Sequence, residues 1–174
     1  TDKVILASPT NMRGAVLTAI DPLLEQQVSE IPAAMVAGSL ASLDEPGFNV
    51  VLGASLARIL RLEIGDYVDV TVPRLTVTPL GVFPRSKRLR VSGMFEVGAQ
   101  PDGYQAYVSL ASGQKLLGQR GRIDGLQVRT SDLFEAPAIM ASLAQSFAGD
   151  YKVSDWSQTQ GSLFQAVKME KVMV

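Results

Sequence analysis

The chain has 174 residues, 47% of them hydrophobic and 19% charged, enough for one substantial core or two small lobes that share one. Its 16 Lys and Arg against 17 Asp and Glu leave a net charge of −1, so the whole carries no electrostatic footprint for nucleic acid, and any basic surface must be local. The absence of cysteine and histidine excludes disulfides, thiolate nucleophiles, Cys-type metal sites and imidazole-based triads, and no run approaches the ~18 apolar residues of a bilayer span.

In chain order, "DKVILAS" predicts a buried strand from Val4 to Ala7, and "NMRGAVLTAIDPLLEQQVSEI" reads as helical stretches interrupted at Pro22. "FNVVLGASLARILRLEIGDYVDVTV" then gives a short strand, a helix with Leu56, Ile59 and Leu60 on one side, and a turn at Gly65 and Asp66. The strand that follows alternates Tyr67, Asp69 and Thr71 with Val68, Val70 and Val72, so one of its faces is buried. "RLRVSGMFEVG" predicts another strand, "PDGYQAYVS" a turn and a third, and "LASGQKLLG" a short helix. "IDGLQVRT" predicts a later strand; "SDLFEAPAIMASLAQSFAGD" predicts a helix capped by Ser131, with Asp132 in its first turn and Gly149 at its end. Strand "YKVSDW" and a last helix from about Ser162 complete the series. The outer parts alternate strand and helix while residues 47–110 are strand-rich, which predicts an α+β fold with a β-rich lobe inserted into an α/β lobe.

Catalytic patterns are weak. "GASLA" at Gly53–Ala57 approximates a nucleophile elbow but has no imidazole to serve its serine, and Ser112 three before Lys115 lacks the companion motifs of serine–lysine acyl enzymes. Asp44, Glu45, Glu63, Asp66 and Asp102 stand in turn sequences, where carboxylates cap backbone amides. No loop spaces acids as a calcium loop does, and neither GxGxxG nor a Walker lysine occurs, so no cofactor is expected.

The informative stretch is "VTVPRLTVTPLGVFPRSKRLRV", residues 70–91. Arg74, Arg85, Lys87, Arg88 and Arg90 fall within 74–90 with no acid among them, so the rest of the chain carries a net −6. Pro73, Pro79 and Pro84 cannot donate to a ladder and mark an extended arm or an edge, while Gly81 lets the chain turn between Leu80 and the pair Val82 and Phe83. Either this is an edge shielded by proline and charge, its apolar residues folded back on the body, or it is a stiff apolar knob offered to a partner's groove above a cationic base. Thr1 in place of Met, and an end at "LFQAVKMEKVMV" without a closing signal, predict a segment of a longer chain or a processed mature protein. Phe164, Val167, Lys168 and Lys171 suit either a helix meeting a lipid surface or one docked on the core.

The chain resembles the periplasmic domain of the LolC/LolE-type permeases, the membrane subunits of the bacterial lipoprotein-releasing ABC transporter. "LGASLARILRLEIGDYVDVTVP" carries the signature shared with MacB-type permeases, and "TPLGVFPRSKRLRVSGMFEVG", "PDGYQAYVSL" and "DWSQTQGSLFQAVKMEK" are similar to the lipoprotein-releasing members, closest to the LolC kind. The resemblance implies a MacB-like fold, with a Porter lobe at 1–46 and 111–174 and a Sabre lobe at 47–110 carrying a protruding hairpin at 70–91. It implies no catalysis, a place in the periplasm of a Gram-negative bacterium between membrane helices absent from this chain, and transfer of lipoproteins from the inner membrane to the chaperone LolA. A second permease subunit and a separate cytoplasmic ATPase subunit would complete the transporter. In this family a β-hairpin Hook seizes the chaperone, and Thr78, Pro79, Leu80, Gly81, Val82, Phe83 and Pro84 match its tip; Arg85, Ser86, Lys87 and Arg88 are the nearest matches to the polar Pad at its base. Asp69 stands where the family can place a further Pad arginine. The alternative is a MacB-like efflux or mechanotransmission permease, which shares the broader signature.

Overall fold

The computed structural model describes residues 1–78, 81–132, 134–146, 152 and 154, without the side chains of 74–83. The expected strand "YKVSDW", the cap at Gly149, the helix from Ser162, and Pro79 and Leu80 of the arm lie outside the described residues.

Strands β1 (Asp2–Ala7) and β2 (Met12–Ile20) form an antiparallel hairpin with Asp2 facing Leu17 and Ala7 facing Met12. Its turn is closed twice, by the Ser8 amide donating to the Asn11 carbonyl at 2.8 Å and the Asn11 amide to Ser8 Oγ at 3.1 Å. The helix expected from Asn11 is therefore a strand up to Ile20. Ala, Leu and Met favour helix locally, but β2 lies between β1 and a parallel partner, and Ala15 and Leu17 alternate into the core; tertiary pairing outweighs propensity. Pro22 opens helix α1 (Pro22–Val28) where its missing N–H costs nothing, with the Asp21 carboxylate accepting from the amides of Leu23 at 3.0 Å and Leu24 at 3.2 Å.

Strand β3 (Met35–Gly38) sits between 3-10 turns at Ile31–Ala34 and Leu40–Asp44, followed by β4 (Asn49–Gly53), α2 (Ala54–Leu60), β5 (Tyr67–Thr78), β6 (Gly81–Phe95), β7 (Gln105–Ser109) and α3 (Leu110–Leu117). In α2, Leu56, Ala57 and Leu60 face the core whereas Ile59 is turned outward. The alternation read in β5 is borne out, with Val68, Val70 and Val72 buried. "IDGLQVRT" is not a strand: among the described residues nothing pairs with it, and Ile123, Leu126 and Val128 are exposed. Residues 1–127 form one compact unit. The second, from Val128, is described by helix α4 (Ala136–Ser146), which starts later than expected. Asp132 instead closes a turn onto the Phe134 amide at 2.8 Å, and Pro137, which has no N–H to offer, lies in the first turn of α4.

The sheet runs β3-β6-β4-β7-β2-β1-β5, and β5 also pairs with β6, so six strands close into a ring from which β3 branches. Strands from 1–46 and from 47–110 share this sheet. Inside it the alternate residues Val4, Leu6, Leu17, Val50, Leu52, Val70, Leu89, Val91, Ala106 and Val108 meet Leu56 and Leu60 of α2 and Leu116 of α3. Strand β4 is buried on both faces, since Val51 points away from the ring into a second cluster with Ile20, Ile31, Leu43 and Phe95.

Two polar devices hold the ring. In β6 the pairing with β4 skips Ser92, a bulge whose hydroxyl lies 2.8 Å from Ser42 Oγ; the single Ser42 proton is shared between the Ser39 carbonyl at 2.6 Å and the bulge, whose carbonyl is 3.3 Å away. Before β7, the buried Asp102 carboxylate accepts from the amides of Val97 at 2.9 Å, Gly98 at 2.8 Å and Ala99 at 3.3 Å. Asp102→Ala leaves these amides unmatched and is expected to cost on the order of 2 kcal/mol in a denaturant titration, Asp102→Asn less because it keeps an acceptor oxygen.

The Tyr107 ring packs at 5.5 Å from that of Phe95, and burial pushes its phenol up to about 12. The unfolded chain ionises first, near pH ~10, so this contribution to stability is complete below that pH and is lost as pH rises towards 12. The fall in thermal midpoint between those pH values is expected to be shallower in Tyr107→Phe than in the native chain.

Candidate functional site

The cationic stretch is carried by the β5–β6 ribbon. Pairing runs from Tyr67 opposite Arg90 to Thr78 opposite Gly81, with two extra residues on β5 between Val72 and Leu75. These are Pro73 and Arg74, and the first has no N–H for a ladder bond. Strand β1 reaches β5 only at Asp69–Thr71, and β4 reaches β6 only from Arg90 onward. Between those limits β5 and β6 pair with each other alone among the described residues, so the base of the stretch is ring wall and the rest is two-stranded ribbon.

Strand alternation then divides the four basal residues that sequence had grouped. Ser86 and Arg88 stand opposite Thr71 and Asp69 on one face. There the Arg88 guanidinium donates to both Asp69 carboxylate oxygens, Nε at 3.0 Å and Nη2 at 3.3 Å, and the Thr71 hydroxyl donates to Ser86 Oγ at 3.2 Å. The hydrogen bond from Arg88, and more weakly its charge, hold the Asp69 carboxyl below its usual range despite some desolvation. Asp69 thus anchors an arginine in a fixed bidentate geometry.

Arg85 and Lys87 stand opposite Val72 and Val70, on the side that continues into the core. The Lys87 ammonium lies 4.4 Å from the centre of the Phe48 ring, and the Lys115 ammonium of α3 lies 5.9 Å from it. Gly118 ends α3 with φ 69°, a left-handed turn open to glycine, and a Cβ there would collide with the Arg85 guanidinium, which lies against the helix end. With Pro84 and Arg120 these groups line a cleft of about 550 Å³ whose wall holds no acid among the described residues. Phe48 and Arg120 are not singled out by the sequence, and Lys115 only by its spacing from Ser112; Phe48 is far from the other two along the chain, and no local pattern joins it to them.

Thr78 and Gly81 are placed as a facing pair where the strands end and resume, and Pro84 faces Leu75. The side chains of Val82 and Phe83 lie outside the described residues, as do Pro79 and Leu80 altogether. The turn roles expected of Asp66 and Asp102 are present; Asp66 Oδ2 accepts from the Glu63 amide at 2.8 Å. Among the described residues no group of three or more acids assembles as a metal site, and no helix is long and apolar enough to cross a membrane.

No family model matches the chain. Among curated proteins it is similar to the lipoprotein-releasing system transmembrane protein LolC of Xylella fastidiosa, at 35% identity over 167 residues, 95% of this chain and 39% of that protein. It is similar to the LolC of Neisseria meningitidis at 33% over 175 residues, 99% of the chain and 42% of the relative. The LolC of Haemophilus influenzae matches at 31% over 129 residues, 73% of the chain and 32% of the relative. The chain thus spans about two fifths of the length of the first two relatives.

The lowered Asp69 carboxyl makes the pair with Arg88 persist through the ordinary carboxylate range and separate only in stronger acid. Its contribution is present above the unfolded value, near pH ~3.9, and is lost as pH falls through the lower folded one. Asp69→Asn is expected to free the Arg88 side chain at every pH, seen as a lower ¹⁵Nε order parameter, with the thermal midpoint nearly unchanged because the pair is exposed.

Proposed function

The chain is homologous to LolC over nearly its whole length, and from that premise we propose that it is the periplasmic domain of an inner-membrane lipoprotein-releasing ABC permease that recruits the chaperone LolA. On this reading it is a noncatalytic recruitment domain. The hairpin grips the chaperone, lipoproteins pass towards the outer membrane, and a second permease subunit and a cytoplasmic ATPase subunit supply the rest of the machine. The Porter lobe at 1–46 and 111–174 and the Sabre lobe at 47–110 belong to the same reading.

The observation that carries it is the similarity to LolC across 95% of the chain. The ribbon gives it a physical basis, since a β5–β6 segment paired only with itself can enter a partner's groove without opening the ring. The proline-bracketed tip lowers the ordering cost of binding, and burying Leu80 and Phe83 in a groove would contribute about 1.5–3 kcal/mol each. On the basal face, Arg88, held by Asp69, and Ser86, beside Thr71, are already oriented for polar contact at the rim.

Deleting residues 76–84 is expected to abolish LolA binding in a pull-down while unfolding stays cooperative; undiminished capture would refute the assignment of the arm. Leu80→Ala and Phe83→Ala are expected to weaken binding more than Lys87→Ala, which should act mainly on the association rate. Surface plasmon resonance separates the two effects.

A further inference from the structure

Lys115 and Arg120 have no part in the proposed gripping of a chaperone, yet they complete a cleft with Arg85 and Lys87 around Phe48. Four cationic side chains line it, and among the described residues no acid does and neither Lys87, Lys115 nor Arg120 forms an ion pair. The chain as a whole is slightly acidic, so this concentration is local. Two ammonium groups share one aromatic ring, at 4.4 and 5.9 Å from its centre, and the Arg85 guanidinium lies against the carboxyl end of α3. The ring's negative face and the helix end offset part of that repulsion; what remains at Lys87, Lys115 and Arg120 calls for an anion.

We infer that this cleft binds a phosphoryl group. A tetrahedral phosphate presents oxygens in several directions and so meets guanidinium and ammonium donors arriving from β6, α3 and the residues after it, whereas a carboxylate offers two oxygens in one plane. Phe48 is half-buried against the ring core and fixes the floor beneath the two ammonium groups. Orthophosphate, a soluble phosphate ester and the headgroup of an anionic phospholipid share this chemistry. The cleft shares Arg85 and Lys87 with the base of the arm, but its far wall lies on α3 and beyond, so substitutions at Lys115 and Arg120 test it apart from the role given to the arm.

The test titrates inorganic phosphate into the full chain by calorimetry and by amide shifts, and measures co-sedimentation with phosphatidylglycerol or phosphatidylcholine vesicles. The native chain is expected to show saturable phosphate binding that weakens at least about tenfold in Lys115→Gln/Arg120→Gln. Lys3→Gln/Arg13→Gln, which removes as much exposed charge elsewhere, should leave it unchanged. Thermal midpoints of both variants check that the fold is kept. Sedimentation with phosphatidylglycerol but not phosphatidylcholine vesicles, lost in the Lys115/Arg120 variant, assigns the phosphoryl group to a lipid headgroup. Phosphate binding with no vesicle binding assigns it to a soluble phosphate or ester. Absence of saturable phosphate binding, an equal loss in both double variants, or tighter binding of a glutamate-rich peptide than of phosphate overturns the inference.

Discussion

The structure depends on strand β6 serving three neighbours. It pairs with β5 from Gly81 to Arg90, with β4 from Arg90 to Phe95, and with β3 near its end, so a single strand closes the ring and then leaves it as half of a ribbon. The change of partner is concentrated at Arg90 to Gly93, where the Ser92 bulge absorbs the mismatch between a parallel and an antiparallel neighbour. Ser42 meets that bulge from outside the sheet, its hydroxyl 2.8 Å from that of Ser92.

The same strand organises charge. A contiguous basic run would be a diffuse field if it lay in a loop. On β6 the two-residue period sends Ser86 and Arg88 to one side and Arg85 and Lys87 to the other. One side has a built-in counter-ion in Asp69, and the other has Phe48 and the end of α3 but, among the described residues, no acid. The two faces therefore differ in kind: one holds an oriented, largely neutralised arginine, the other a cleft in which Lys87, Lys115 and Arg120 form no ion pair among the described residues.

What the sequence revealed follows how local each signal is. The Val68, Val70 and Val72 alternation and the capped helix α3 need only neighbouring residues, and both were legible. Strand β2 was misread because its alanines and leucines prefer helix in isolation, while the partner that overrides them, β7, lies about 90 residues away in the chain. "IDGLQVRT" shows the reverse: its apolar residues suit a strand, but nothing among the described residues pairs with it. The tip motif and the basic run were visible as composition, yet the Asp69 and Arg88 pairing required the register of two strands, and the cleft required Phe48, Lys87 and Lys115 to be brought together by the ring.

The interruption at Pro73 and Arg74 inserts an even number of residues into β5. An odd insertion would exchange inside for outside along everything distal to it, whereas an even one preserves parity while breaking the continuity of the ladder. Mechanically, that makes the ribbon a jointed beam rather than a uniform one, its bending compliance concentrated at the joint.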